Sequence, residues 1–130
     1  MRIVNIGEQN SILNNFIAEI RDRTIQKDSL RFRRNLERIG EIFAYEISKE
    51  LEYTTKSIQT PLGVAACNTL SDSLVLASII RAGLPLHNGL LSFFDASQNA
   101  FVAAYRKYGK DNKFTIQIEY TSTPSVEGKV

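Results

Sequence analysis

The stretch Leu74-Val75-Leu76-Ala77-Ser78-Ile79-Ile80, followed at once by Arg81-Ala82-Gly83-Leu84-Pro85, limits what this chain can fold into more than any other segment. The run is continuously apolar, broken only by one small hydroxyl. Such a run suits a strand covered on both faces, as in a parallel sheet, rather than an alternating half-exposed strand. Pro85 suits the first turn of a helix, where its missing N–H takes nothing from the ladder. The helix is expected to reach about Phe94. In open α/β sheets ligands sit beyond the carboxyl ends of the strands, and the loop after Ile80 is such a position.

The flanking sequence fits around this strand-loop-helix unit. Ser11 can cap a helix to about Arg23, with Ile12, Leu13, Phe16, Ile17 and Ile20 as its apolar stripe. A second helix is expected from Asp28 or Ser29 to about Leu51, with Leu36, Ile39, Phe43 and Ile47 inward. Gly40 in its middle costs about 1 kcal/mol against Ala, so it points to a close packing contact. Tyr53–Thr60 reads as a strand, Pro61-Leu62-Gly63 as a turn, and Val64–Cys67 as the returning strand of a hairpin arm. Ala100–Arg106 is a further strand, and Gly109, Asp111 and Asn112 form a turn within Lys107–Lys113. Phe114, Ile116, Ile118 and Tyr120 alternate with polar residues, as in a half-exposed strand, before a loop at Thr121–Ser125. The ending Val126-Glu127-Gly128-Lys129-Val130 looks like the start of another strand, so the chain is expected to be truncated within its domain.

A length of 130 residues fits one domain, here with helices over about 11–51, the arm over about 53–67 and a core sheet from about 74. The net charge of +2 does not by itself call for a nucleic acid or a membrane. Cys67 is the only cysteine and cannot form an internal disulfide. Met1-Arg2-Ile3-Val4-Asn5 does not begin a signal peptide, and no run is long enough to span a membrane, so the cytoplasm is the expected location. There is no GxxxxGK[ST], HExxH, paired-cysteine or GxSxG pattern.

Three residues carry the candidate site. Arg81 offers a forked donor suited to phosphate oxygens. Gly83 allows backbone to approach a ligand, and the N–H groups entering the helix carry partial positive charge. Arg106 ends the next strand and can point into the same crevice, or else pair on the surface with Asp111 or Glu119. His87 is the only histidine; without a carboxylate four residues away to orient it, it reads as a packed or surface residue, and Asn88 and Gly89 carry no assignment. Arg21, Arg23, Lys27, Arg31, Arg33, Arg34 and Arg38 form a basic cluster offset by Asp22, Asp28 and Glu37. It could touch RNA, but it reads as a solvated helix face.

The segment Ile79-Ile80-Arg81-Ala82-Gly83-Leu84, with Asn88-Gly89-Leu90-Leu91 and then Ala104-Tyr105-Arg106, resembles the corresponding stretch of uracil phosphoribosyltransferases. Leu30-Arg31-Phe32-Arg33 through Gly40 to Tyr45-Glu46 resembles the family's second helix, and the hairpin arm falls in the matching place. The resemblance implies a type I phosphoribosyltransferase α/β fold, with a parallel sheet core, N-terminal helices and the arm. It implies transfer of ribose 5-phosphate from phosphoribosyl diphosphate to uracil, giving UMP and diphosphate, with Mg²⁺ bound alongside the diphosphate. By resemblance Arg81, Ala82, Gly83 and Arg106 bind that diphosphate, Ala82 and Gly83 through backbone N–H groups. A cis peptide is implied in the loop, expected at Arg81–Ala82. A homodimer built partly through the arms is implied too.

Two departures stand out. Lys107-Tyr108-Gly109-Lys110 replaces the acidic stretch that often follows the family's Tyr-Arg pair. The Asp-x-x-x-Ala-Thr-Gly loop for the ribose 5-phosphate and the uracil-reading segment lie beyond the resemblance, so the 130-residue chain alone is expected to be inactive. The rival readings are an RNA-binding regulator of pyrimidine operons, resting on the basic cluster, and a non-catalytic dimerisation remnant, resting on the arm and the helix stripes.

Overall fold

The first helix begins one residue later than a cap at Ser11 suggests. The computed structural model describes residues 3–108 and 113–130, and in it α1 spans Leu13–Arg21. Ser11 Oγ accepts the Leu13 N–H at 3.3 Å, so it works one step upstream of a cap. Asp22 ends the helix because its carboxylate accepts the N–H groups of Thr24 and Ile25 at 2.7 and 2.8 Å and starts a short 3-10 turn over Ile25–Lys27. Those two donors hold the Asp22 carboxyl below its ordinary range.

Helix α2 spans Ser29–Ser48. Asp28 is its cap, accepting from Leu30 and Arg31 N–H groups at 3.0 Å each. Lys49, Glu50 and Leu51 continue it only as i→i−3 turns. Its buried residues are Asn35, Ile39, Gly40 and Ala44, while Phe43 and Ile47 are exposed. The expected inner stripe thus holds at Ile39 and, half-buried, Leu36, and fails at Phe43 and Ile47: the helix also turns small residues toward a close neighbour, helix α3 (Leu84–Leu91). A Cβ on Gly40 would collide with Leu86 O and stand 3.1 Å from Gly89 Cα, and one on Gly89 would collide with Glu37 O. The contact read from Gly40 is thus a backbone-to-backbone crossing.

The arm is β1 (Tyr53–Thr60) paired antiparallel with β2 (Gly63–Leu70). It is longer than expected because Thr55 Oγ1 and Asn68 Oδ1, cross-strand partners 2.7 Å apart, carry the pairing past Cys67. Pro61-Leu62 forms the turn, and Gly63 follows at φ +132°, a value only glycine adopts without strain. Glu52 N–H donating to Asp72 Oδ2 at 2.8 Å closes the neck. Neither arm strand packs on another described helix or strand.

The main sheet runs β3 (Val75–Ile80), β4 (Gln98–Tyr108), β5 (Phe114–Ser122). The β3–β4 pair is parallel and joined by α3; the β4–β5 pair is antiparallel with an irregularity at Ala103/Ala104. The expected turn residues Gly109, Asp111 and Asn112 lie outside the described residues. On the other edge of β3, Val130 N–H donates to Ser73 O at 3.1 Å and Val75 N–H donates to Val130 O at 2.9 Å. That is the bond pattern of a parallel bridge, in line with the strand read at 126–130.

Two expectations about burial do not hold. Strand β3 is covered on one face only: α3 lies over the side of Leu76, Ser78 and Ile80, and Ile79 is 63% exposed. Along β5 the apolar set Phe114, Ile116, Ile118 and Tyr120 is exposed, and the more covered residue is Gln117. No described element covers those faces. The accessible surface reflects it, at 10161 Å² against about 6,900 Å² for a folded monomer of this mass.

Candidate functional site

Helix α3 starts where β3 stops, and the three residues between them make the loop. Gly83 N–H donates to Ile79 O at 3.1 Å, Leu84 N–H to Arg81 O at 3.2 Å, and His87 N–H to Gly83 O at 3.0 Å. The cis peptide bond lies at Ile80–Arg81, one bond before the expected Arg81–Ala82. Gly83 has φ −73° and ψ −14°, helical values open to any residue. Its missing side chain matters for another reason: a Cβ there would meet Ser78 Oγ and stand 2.8 Å from Ile79 O. The glycine lets the loop fold back onto its own strand.

This geometry separates the two candidate amides. Gly83 N–H is already bonded to Ile79 O, whereas Ala82 N–H has no acceptor among the described residues. Arg81 is exposed, and its side chain forms no ion pair or hydrogen bond with them. Arg106 lies three residues past Ala103, the partner of Ile80, so both arginines stand at the carboxyl end of adjacent parallel strands. Arg106 does not pair with Glu119; its guanidinium sits 4.9 Å from the Phe114 ring centroid, in cation–π range. Glu119 instead lies by Tyr105, whose phenol is raised above its usual value, first by desolvation and then by that carboxylate. Asp111, the other expected partner, lies outside the described residues.

His87 proves to be packed. It is 4% exposed, its ring lies 4.9 Å from that of Phe101, and its Nε2 is 2.8 Å from Asn99 Oδ1. Three residues of the basic cluster, Arg31, Arg34 and Arg38, are engaged within α2 or with α1. Arg31 forms two bonds to Glu19, at 2.9 and 2.8 Å, and Arg34 pairs with Glu37. Arg38 donates to Asn35 Oδ1 at 3.0 Å and lies 5.2 Å from the Phe16 ring centroid. Asn35, 1% exposed, donates to Glu19 Oε2 at 2.6 Å. Glu19, two residues before Arg21, is the counter-ion of Arg31. Hydrogen bonds from Arg31 and Asn35 lower its pKa to about 2.

The loop presents a guanidinium and an open amide, a donor set for an anion and not for a cation. No group of three His, Cys, Asp or Glu side chains among the described residues could hold a metal ion. These residues do not build a Mg²⁺ site of their own. A concavity of about 550 Å³ lies between the N-terminal segment and Ile42 and Glu46 and shares no lining residue with the loop. No helix is long and apolar enough to cross a membrane among the described residues.

A parallel strand pair with a donor loop at its carboxyl end, opening a helix, defines an α/β domain of the open-sheet class, in which that end of the strands is the ligand-binding position. The same fold is found in a solved structure of a protein from Aquifex aeolicus, with a TM-score of 0.79 over 93% of this chain and 56% of that one, at 22% identity. The family model for uracil phosphoribosyltransferase matches residues 7–124, and the chain belongs to that family. A uracil phosphoribosyltransferase of Porphyromonas gingivalis is 52% identical over all 130 residues, which cover 60% of its length. One of Thermococcus gammatolerans is 30% identical over 122 residues, 92% of this chain and 53% of that protein. The chain thus spans about 60% or less of the length of these curated relatives.

Proposed function

We propose that this chain forms the diphosphate-holding part of a uracil phosphoribosyltransferase. In the reaction, the bond from the anomeric carbon of phosphoribosyl diphosphate to diphosphate breaks, and its electron pair leaves with the diphosphate oxygen. A uracil nitrogen bonds to that carbon and loses its proton, giving UMP. Negative charge grows on the leaving diphosphate, and donors fixed in place stabilise it best. The observation that carries this reading is the pair of exposed arginines, Arg81 and Arg106, at the carboxyl end of adjacent parallel strands in a chain of this family. Arg81 and the Ala82 N–H take diphosphate oxygens, and Arg106, steadied over Phe114, takes others. Gly83 contributes by shaping the turn. Mg²⁺ enters this reading carried on the phosphate oxygens, where it supplies further positive charge.

The dimer belongs to the same proposal. An arm largely exposed on both faces, tied to the body near its base where Tyr53 Oη donates to Ser48 O at 3.1 Å, supports contact with a second copy. The operon-regulator alternative is not favoured, since Arg31, Arg34 and Arg38 are held in contacts within the helices. The test is calorimetric titration of the purified chain with phosphoribosyl diphosphate and Mg²⁺. Binding is expected, weakened about tenfold to a hundredfold by Arg81→Ala, the worth of one charge-assisted hydrogen-bond donor. No binding by the wild type, or undiminished binding by the folded Arg81→Ala variant, refutes the proposal.

A further inference from the structure

Helix α3 is held near its two ends by contacts that need glycine. At the start Gly83 lies against Ser78 and Ile79 of β3; near the end Gly89 lies against the Glu37 carbonyl of α2. These contacts fix where the helix lies, but a cylinder held so can still roll about its axis. Roll matters here, because it sets where the loop at its head aims the Ala82 N–H and the Arg81 side chain. Among the described residues, the one directional side-chain bond from α3 to the sheet is His87 Nε2 to Asn99 Oδ1, 2.8 Å long, with the ring seated on Phe101. His87 is also the residue whose N–H holds the Gly83 carbonyl, at 3.0 Å. A chain of bonds therefore runs from β4 through Asn99 and His87 to the loop, and on through Gly83 N–H to Ile79 O on β3. An apolar side chain could fill the same buried slot. A buried polar pair adds direction, which non-directional packing does not supply.

We infer that His87 is a positioning residue: through Asn99 it sets the roll of α3 and so the aim of the Arg81–Gly83 loop at a diphosphate group. This rests on the proposed function, and the experiment separates the two. Magnesium diphosphate is titrated into the full chain while the imidazole protons are followed by NMR. His87 is the only histidine, so its signals are unambiguous. Three variants are titrated alongside: His87→Leu, Asn99→Ala, and His87→Gln, whose amide can still donate to Asn99.

The expected result is a ligand-dependent shift of the wild-type His87 resonances, although that ring lies outside the loop. Binding should weaken about tenfold in His87→Leu and Asn99→Ala, the size seen when supporting partners of a ligand site are lost, with recovery to within about threefold in His87→Gln. If the wild type does not bind diphosphate, the functional reading falls and takes this inference with it. If the wild type binds, its imidazole signals stay still, and Asn99→Ala binds as tightly, the inference alone is overturned. Should His87→Leu fail to fold, the wild-type resonances and Asn99→Ala still decide.

Discussion

The α2–α3 crossing and the β1–β2 arm are opposite solutions within one short chain. At the crossing two backbones meet at Gly40 and Gly89, with no room for one more carbon. In the arm a carbon could be added almost anywhere, since most of both strands faces solvent and the turn glycine has nothing within 4 Å of its missing Cβ. Glycine therefore does different work in each. At 40 and 89 it supplies closeness; at 63 it supplies a backbone angle. The ligand loop hangs from the first region, so its geometry inherits the rigidity of the crossing and none of the freedom of the arm.

Gly89→Ala should expose this difference most sharply. It gains about 1 kcal/mol of helix propensity, yet its Cβ would overlap Glu37 O and reach Glu41 N at 2.9 Å, both backbone atoms that cannot swing aside. A net loss of about 2 kcal/mol is expected, as for overpacked cores, read as a lower urea midpoint. An unchanged midpoint would mean that the crossing is looser than its geometry says. Gly83→Ala should cost about 1 kcal/mol, less because one of its clashes is with the Ser78 side chain. Adding Ser78→Ala should restore part of that loss, a coupling a double-mutant cycle measures.

Acid should act on α1 before it acts on the crossing. The Glu19 carboxyl is depressed in the folded chain, to about 2 from an ordinary 4.5. Its contribution is therefore complete above about pH 4.5 and is lost as pH falls toward 2. Urea midpoints measured over that window should fall in the wild type and fall less steeply in Glu19→Gln. Parallel slopes would show that the clasp of Glu19 on Arg31 and Asn35 does not hold α1 in solution. The smallest effect belongs to the arm: Ile58→Thr and Val64→Thr should each stay within about 0.5 kcal/mol, by the same measurement. A larger loss would mean the arm is covered in solution.

Signals confined to neighbouring residues were legible in the sequence. Asp28 as a cap, the hairpin turn, the Leu74–Ile80 strand and the helix after it all follow from local chemistry, and all are present. So is the closeness at Gly40, because a costly glycine in a helix needs a reason. What failed depends on distant residues. The inward stripe of α2 was misplaced at Phe43 and Ile47, since hydropathy cannot foresee that Gly89, far along the chain, would draw the small face inward. Asn35 was passed over because its burial is satisfied by Glu19, sixteen residues away. Ile79, Phe114, Ile116, Ile118 and Tyr120 carry the pattern of covered strands, yet no described element lies on them. At the candidate site, Arg81 and Arg106 could be picked out by residue type and position. Which amide stays open could not, as it depends on how the loop folds back upon Ile79.

That fold-back has a kinetic meaning. The bonds Gly83–Ile79, Leu84–Arg81 and His87–Gly83 are all made within the chain itself, so on the proposed reading a diphosphate meets a loop whose backbone is already tied. Encounter should then run at the rate set by diffusion and by attraction between the two arginines and the anion, and should slow as salt rises. Variants that disturb the loop from behind would leave arrival nearly untouched and shorten the stay. In a stopped-flow trace, their signature would be an unchanged slope with concentration and a raised intercept.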